Sequence, residues 1–288
     1  MRYRHTLESH RCTDPFPRGR LVYEDATTVL HEVDGKEHAL YCQNMCLLSK
    51  LFLDQKTIYY DIGSFLFYVL LTKSAEEEAS EAQLGFAGYF SKEKTSVERN
   101  NLACILVLPP FRGQRYGQLL IELSYELTKL EGTTGGPEQP LSSQGFHSYR
   151  SYWRRAIVQA LLGESVSAAA HVLQNECLLR GHGHDWAHNQ RIFSLSRLAL
   201  LTGIRIEDVL FTLGDLGLLE FWLGRYIVCI ADETLHKVID EHRINLSLCA
   251  DPAGLLLGRD DDSQQASDAS MDVDSDSSGG SSDSDDSA

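Results

Sequence analysis

Residues 100–132 read NNLACILVLPPFRGQRYGQLLIELSYELTKLEG, and this stretch decides the fold class. Leu102–Leu108 is a short apolar run of strand formers, and Pro109-Pro110 ends it because proline cannot donate to a ladder. Tyr116, Leu119, Leu120, Leu123, Leu127 and Leu130 then recur at helical spacing, and Gly132 closes the helix. Strand, loop, helix is an α/β signal. The connecting loop, Arg112-Gly113-Gln114-Arg115-Tyr116-Gly117, feeds a helix N-terminus, where unpaired amides and the positive end of the dipole suit a phosphate. Two arginines would add charge-assisted contacts. By itself the signal is unspecific, since turns of this composition are common.

Strand-like segments precede this unit. Residues 19–41 carry Leu21, Tyr23, Val29, Leu30 and Val33, with Asp34-Gly35 as a hairpin signal. Residues 42–54 show helical spacing, and further strands are expected at Thr57–Tyr60, Phe65–Thr72 and Gly85–Phe90. The Glu- and Ala-rich segment Lys73–Gln83 is expected to be a solvated loop. Beyond a Gly/Pro-rich loop at 132–145, helices are expected at 148–162, 206–219 and Thr234–His242, with a strand at Arg225–Ile230. Helices closed by a small strand suggest a winged-helix-like subdomain over 193–258. With no basic recognition helix visible, it reads as scaffold, and direct DNA binding is not expected.

The net charge of −15 is unevenly placed. Ten aspartates and no lysine or arginine fall in residues 260–288, so residues 1–259 carry only −5. The Asp/Ser/Gly tail from 259 to 288 has too little apolar surface to offset its ordering entropy, and is expected to be disordered. A hydrophobic content of 43% is ordinary for a globular protein. No apolar run approaches the ~20 residues of a membrane span, so no membrane partner is expected. The charged start MRYRHTLESHRC has no apolar core of a secretory signal. Seven scattered cysteines, an odd number, suggest a reducing compartment.

Three blocks carry a resemblance: YCQNMCLLSKLFLDQKTIYYD (41–61), the 100–132 stretch, and PEQPLSSQGFHSYRSYW (137–153). In order and spacing they resemble the catalytic core of the MYST histone acetyltransferases over residues 19–162, with weaker similarity through 196–252, including IEDVLFTLGDLGLL (206–219). The resemblance implies an α/β (α+β) acetyl-CoA-dependent N-acetyltransferase core with a mixed central sheet split around the cosubstrate. It implies transfer of acetyl from acetyl-CoA to lysine in histone tails, in a chromatin-modifying complex in the nucleus. Residue by residue it makes Glu138 the general base and Cys104 the cysteine beside the thioester. Ile105, Leu106 and Val107 become the strand along the cosubstrate. Arg112, Gly113, Gln114, Arg115, Tyr116, Gly117 and Gln118 become the pyrophosphate loop, Ser142 and Ser151 further contacts, and Lys56 the autoacetylated lysine. Without it, Glu138 reads as an exposed loop residue, Cys104 as a buried strand cysteine and Lys56 as a surface lysine.

Departures from the family pattern matter. Arg115 stands where the loop pattern has its first glycine, and either obstructs the backbone's approach to phosphate or adds a donor. The family's zinc finger is incomplete. Cys12 matches its last ligand, Glu8 replaces its histidine, and residues 1–18 do not hold four ligands even with His5 and His10, so no zinc is expected. Residues 163–192 read as an insert; His182, His184, Asp185 and His188 there suggest a polar loop or a metal cluster. Cys42 and Cys46 have helical spacing but no second pair, and read as core. The rival readings are a catalytically degenerate subunit of a chromatin complex, motivated by Arg115 and the missing finger, and a small-molecule N-acetyltransferase.

Overall fold

The computed structural model describes residues 19–53, 56–73, 84–163, 190–222 and 225–256. The expected zinc-finger remnant, the histidine-rich part of the insert, most of the Lys73–Gln83 loop and the acidic tail lie outside them.

Strands β1 (Arg20–Glu24), β2 (Thr28–Asp34), β3 (Phe65–Lys73), β4 (Leu84–Glu93) and β6 (Cys104–Val107) form one antiparallel sheet in the order β1-β2-β3-β4-β6. β3, FLFYVLLTK, is apolar on both faces because both are covered. Phe67, Val69 and Leu71 pack with Cys42, Met45 and Cys46 of helix α1 (Ala39–Ser49). Tyr68 and Leu70 pack with Leu119, Leu120, Leu123 and Leu127 of helix α2 (Tyr116–Leu130). Cys42 and Cys46 are thus core residues, as their lack of partners suggested.

One further pairing is parallel. Strand β5 (Asn100–Leu102) lies beside β7 (Gly136–Pro137), outside the main sheet. The single strand expected over 102–108 is therefore divided. Ala103 donates its N–H to Ser91 O at 2.8 Å. Since Cys104 also lies opposite Ser91, two residues face one, which is a bulge. Before the bulge the chain follows β7; after it the chain follows β4. That divergence is the split in the sheet.

Two other expectations are corrected. Asp34-Gly35 does not close a hairpin. The β1–β2 turn is organised by Asp25, whose carboxylate accepts from the N–H of Thr27 and of Thr28, each at 2.7 Å. Asp34 instead accepts from Lys36 N–H at 2.7 Å and leads into α1. Gly35 is required by crowding, because a Cβ there would lie 2.2 Å from Ile62 O. Residues Thr57–Tyr60 form no strand: β2 and β4 already flank β3, and the segment lines a cavity beside Lys56 instead of pairing with a free edge.

Helix α3 (Ser143–Gly163) packs on α2, and Trp153 Nε1 donates to Tyr125 Oη at 2.8 Å. Strand β8 (Gln190–Phe193) is followed by helices α4 (Leu195–Thr202) and α5 (Ile206–Asp215), shorter than the expected 206–219 because Leu216 caps it and Gly217 takes a left-handed φ of 67°. Strands β9 (Glu220–Trp222) and β10 (Arg225–Ala231) and helix α6 (Asp232–Glu241) complete the order, with β8, β10 and β9 in a second antiparallel sheet. One apolar cluster runs from Ile121 and Tyr125 through Trp153 and Ile157 to Leu213 and Val238, so these elements brace α2 and α3. The chain then returns as a strap. Leu256 N–H donates to Val22 O at 2.9 Å, and Asp251 N–H to Tyr23 Oη at 2.9 Å.

Candidate active site

β6 is the edge of the main sheet. Leu108 N–H donates to Ala87 O at 2.9 Å, so the alternating residue Leu106 faces β4, and Ile105 and Val107 turn their backbone groups to the open side. Such an edge offers an extended acyl-amide chain the same partners a strand would find.

At the end of β6 a short turn, Pro109–Phe111, leads into the Arg112–Gly117 loop and α2. Gly113 has a φ of 79° and nothing within 4 Å of where a Cβ would stand. No acidic residue occupies the first turn of α2, so its free amides face no competing carboxylate. These features fit a pyrophosphate. Arg112 Nε donates to Val107 O at 3.2 Å, and Gln114 Nε2 to Pro110 O at 3.4 Å. Gln118 ties the helix to α3, its Nε2 donating to Ser148 O at 2.8 Å. Tyr116 packs its ring near Phe111. Arg115 adopts the left-handed conformation, φ 65°, which is what a glycine in the family pattern would take without cost. Its guanidinium turns to the strap, with Nη1 donating to Ser247 Oγ at 3.2 Å and Nη2 to Ser247 O at 3.4 Å.

The bulge opens a cavity of about 280 Å³ at the other end of β6. It is lined by Cys46, Lys56, Cys104, Ile105, Glu138 and Ser142, among others. Cys104, Glu138 and Lys56, from three separate blocks of sequence, are thereby brought together. Glu138 N–H donates to Leu102 O at 2.9 Å, which anchors its loop to β5. Burial lifts the Glu138 carboxyl above its ordinary range, the negative charges of Glu93 and Glu98 lift it further, and Lys56 opposes them. Burial likewise raises the Cys104 thiol; Lys56, and a Tyr89 hydroxyl where it donates to the sulfur, oppose the rise, and Glu138 adds to it. Ser142 caps α3, its Oγ accepting from Gly145 N–H at 3.1 Å. Ser151 lies further along α3, exposed and outside the cavity lining.

Several cavity residues carried no signal in the sequence. Ser91 and Glu93 stand at the end of an ordinary strand, Phe65 opens β3, and Ile62 lies just before the turn that leads into it. Tyr89 is fully buried beside Cys104, Oη to Sγ 3.9 Å. A tyrosine alternating with Ala87 and Ser91 along β4 looks like sheet packing alone.

An open edge strand with a helix N-terminus at one end, and a carboxylate with a thiol at the other, defines an α/β fold with a single site laid along that strand. The chain belongs to the MOZ/SAS family, whose profile it matches over residues 16–250. It is 44% identical to the "Histone acetyltransferase Tip60 homolog" of Caenorhabditis elegans over 77% of this chain and 43% of that protein. It is 41% identical to "Histone acetyltransferase esa1" of Emericella nidulans over 86% of this chain and 44% of that protein. With "Histone acetyltransferase of the MYST family 1" of Arabidopsis thaliana it shares 40% identity over 84% of this chain and 47% of that protein. The chain thus spans less than half the length of these relatives.

Proposed function

We propose that this chain transfers acetyl from acetyl-CoA to the ε-amine of lysine in histone tails. The observation that carries this reading is the cavity at the Ala103 bulge, where a carboxyl with a raised proton affinity meets the start of an open edge strand. The names of the relatives supply the substrate class.

Lysine reaches the site as an ammonium with a pKa of about 10.4 and must lose a proton before it can attack. Glu138, raised by burial and by Glu93, is suited to take it. The free amine then attacks the thioester carbonyl, and backbone amides on the open edge of β6 stabilise the oxyanion. Collapse breaks the C–S bond, so that CoA leaves as its thiolate and the amide nitrogen gives up its extra proton. Ile105 and Val107 hold the amide-bearing arm of acetyl-CoA with their open backbone groups, and Leu106, paired to β4, holds that strand in place. The amides of residues 112–118 and the Arg112 side chain hold the pyrophosphate, with Ser142 and Ser151 flanking. Arg115 contributes through its backbone conformation. Lys56 is the site of autoacetylation. The same reading places the protein in a chromatin-modifying complex in the nucleus.

Two measurements test this. Isothermal titration should show acetyl-CoA binding, and mass spectrometry should find acetyl-lysine on a histone-tail peptide incubated with protein and acetyl-CoA. A chain that binds acetyl-CoA but acetylates no peptide would point to the degenerate-subunit reading.

A further inference from the structure

A buried chain of hydroxyls leads away from Cys104. Ser49, the last residue of α1, has no exposed surface, and its Oγ donates to Met45 O at 2.7 Å. The same Oγ lies 2.5 Å from Tyr89 Oη. Tyr89 Oη is in turn 3.9 Å from Cys104 Sγ. A hydroxyl carries one hydrogen. Ser49 commits its own to Met45 O, so the short contact with Tyr89 is made with the tyrosine hydrogen. That leaves the Tyr89 oxygen with only acceptor capacity toward the sulfur.

We propose that Tyr89, oriented by Ser49, accepts a hydrogen bond from the Cys104 thiol and so holds it in its protonated form, making Tyr89 a positioning residue of the site. The inference rests on the acetyltransferase reading for its functional meaning. A thiol held as donor is a poor nucleophile. The arrangement therefore favours direct attack by the lysine amine over an acetyl-cysteine route, with Glu138 as the base.

The groups around the sulfur set the balance. The Lys56 ammonium works toward the thiolate of Cys104 and of Cys46, and a Tyr89 hydroxyl donating to either sulfur would do the same; with its hydrogen given to Ser49 instead, Tyr89 makes no such donation. Glu138 works against it, and Cys46, beside the same tyrosine hydroxyl, is itself held up by burial. The sulfur can accept from Lys56 while its hydrogen goes to Tyr89, so these contacts coexist.

The sign of a substitution decides the matter. If Tyr89 stabilises the thiol, Tyr89→Phe removes that support and alkylation becomes easier. If Tyr89 were instead the donor, it would stabilise the thiolate, and Tyr89→Phe would make alkylation harder. Ser49→Ala frees the tyrosine hydrogen to turn to the sulfur, so it too should favour the thiolate.

The experiment is iodoacetamide alkylation of the full chain across pH, with the Cys104 peptide followed separately from that of Cys46 by mass spectrometry. Circular dichroism and continued protection of the buried Cys42 report that each variant is folded. In Tyr89→Phe and in Ser49→Ala alike, the Cys104 rate near neutral pH should rise about fivefold, the equivalent of one hydrogen bond of about 1 kcal/mol. A rate that falls or stays constant in either folded variant overturns the proposal. The readout needs no acetyl transfer, so a failure of the acetyltransferase reading would be seen separately, in the peptide assay.

Discussion

The backbone N–H of Glu138 is hydrogen-bonded to the carbonyl oxygen of Leu102 at 2.9 Å, on the residue just before the bulge that presents Cys104. One backbone contact thus fixes the loop that carries the carboxylate against the strand that carries the thiol. The side chain of Glu138 is left to act in the cavity while its main chain holds the register. Glu138→Gln should therefore keep the fold and the affinity for acetyl-CoA and lose activity on a histone-tail peptide by about 10²–10⁴-fold, the usual contribution of a positioned base. Rates equal to wild type across neutral pH would remove Glu138 from the role.

The pH profile follows from the neighbours of that carboxyl. A base works when ionised, and burial together with Glu93 and Glu98 raises the Glu138 pKa above the usual carboxylate range. Activity should therefore fall as pH drops through this raised value. Glu93→Gln removes one negative charge and lowers the Glu138 pKa, so the acid limb of kcat/KM should move to lower pH. A limb that stays in place would show that Glu93 is screened from the site.

How much of this was legible before the structure depends on the kind of information. The strand, loop and helix of residues 100–132 were legible because proline, glycine and leucine spacing act locally. The bulge at Ala103 was not, because it is imposed by Ser91 across the sheet and by β7. Asp34-Gly35 carried a true turn signal with the wrong destination, since the glycine answers to Ile62 O, far along the chain. In the site, the resemblance marked Cys104, Glu138 and Lys56, which the structure brings to one cavity, whereas the contacts of Tyr89, Ser49 and Glu93 are encoded by no local pattern.

Arg115 was legible only as a departure from a glycine pattern. The sequence left open whether its side chain obstructs or binds phosphate, and the structure directs it to Ser247. Arg115→Gly should then leave acetyl-CoA affinity within about threefold, under 1 kcal/mol. Glycine relieves the left-handed strain, roughly 1–2 kcal/mol, while losing the Ser247 contacts, so the two effects oppose. Arg115→Ala keeps the strain and loses the contacts, and should be the less stable of the two in thermal unfolding. A tenfold loss of acetyl-CoA affinity in both variants would mean that the guanidinium leaves Ser247 for the ligand.

The strap itself is held by a buried ion pair. Arg155 Nη2 lies 2.5 Å from Glu122 Oε2, with both side chains about 95% buried (5% and 4% exposed). Each partner also grips the strap: Arg155 Nη1 donates to Ser247 O at 2.8 Å, and Glu122 accepts from Cys249 N–H at 3.0 Å. Water is excluded from both charges, so added salt should weaken the pair little. Arg155→Ala leaves Glu122 charged, buried and unpaired, which costs about 3–5 kcal/mol. Replacing both residues with apolar ones, Glu122→Leu with Arg155→Met, removes the stranded charge and should recover part of that loss. Recovery should be incomplete, because Cys249 N–H would lack its partner and Ser247 O would keep only the longer contact from Arg115. Denaturant unfolding of the two variants measures this directly. A double variant no more stable than Arg155→Ala would show that the strap contacts, rather than the desolvated charge, set the cost.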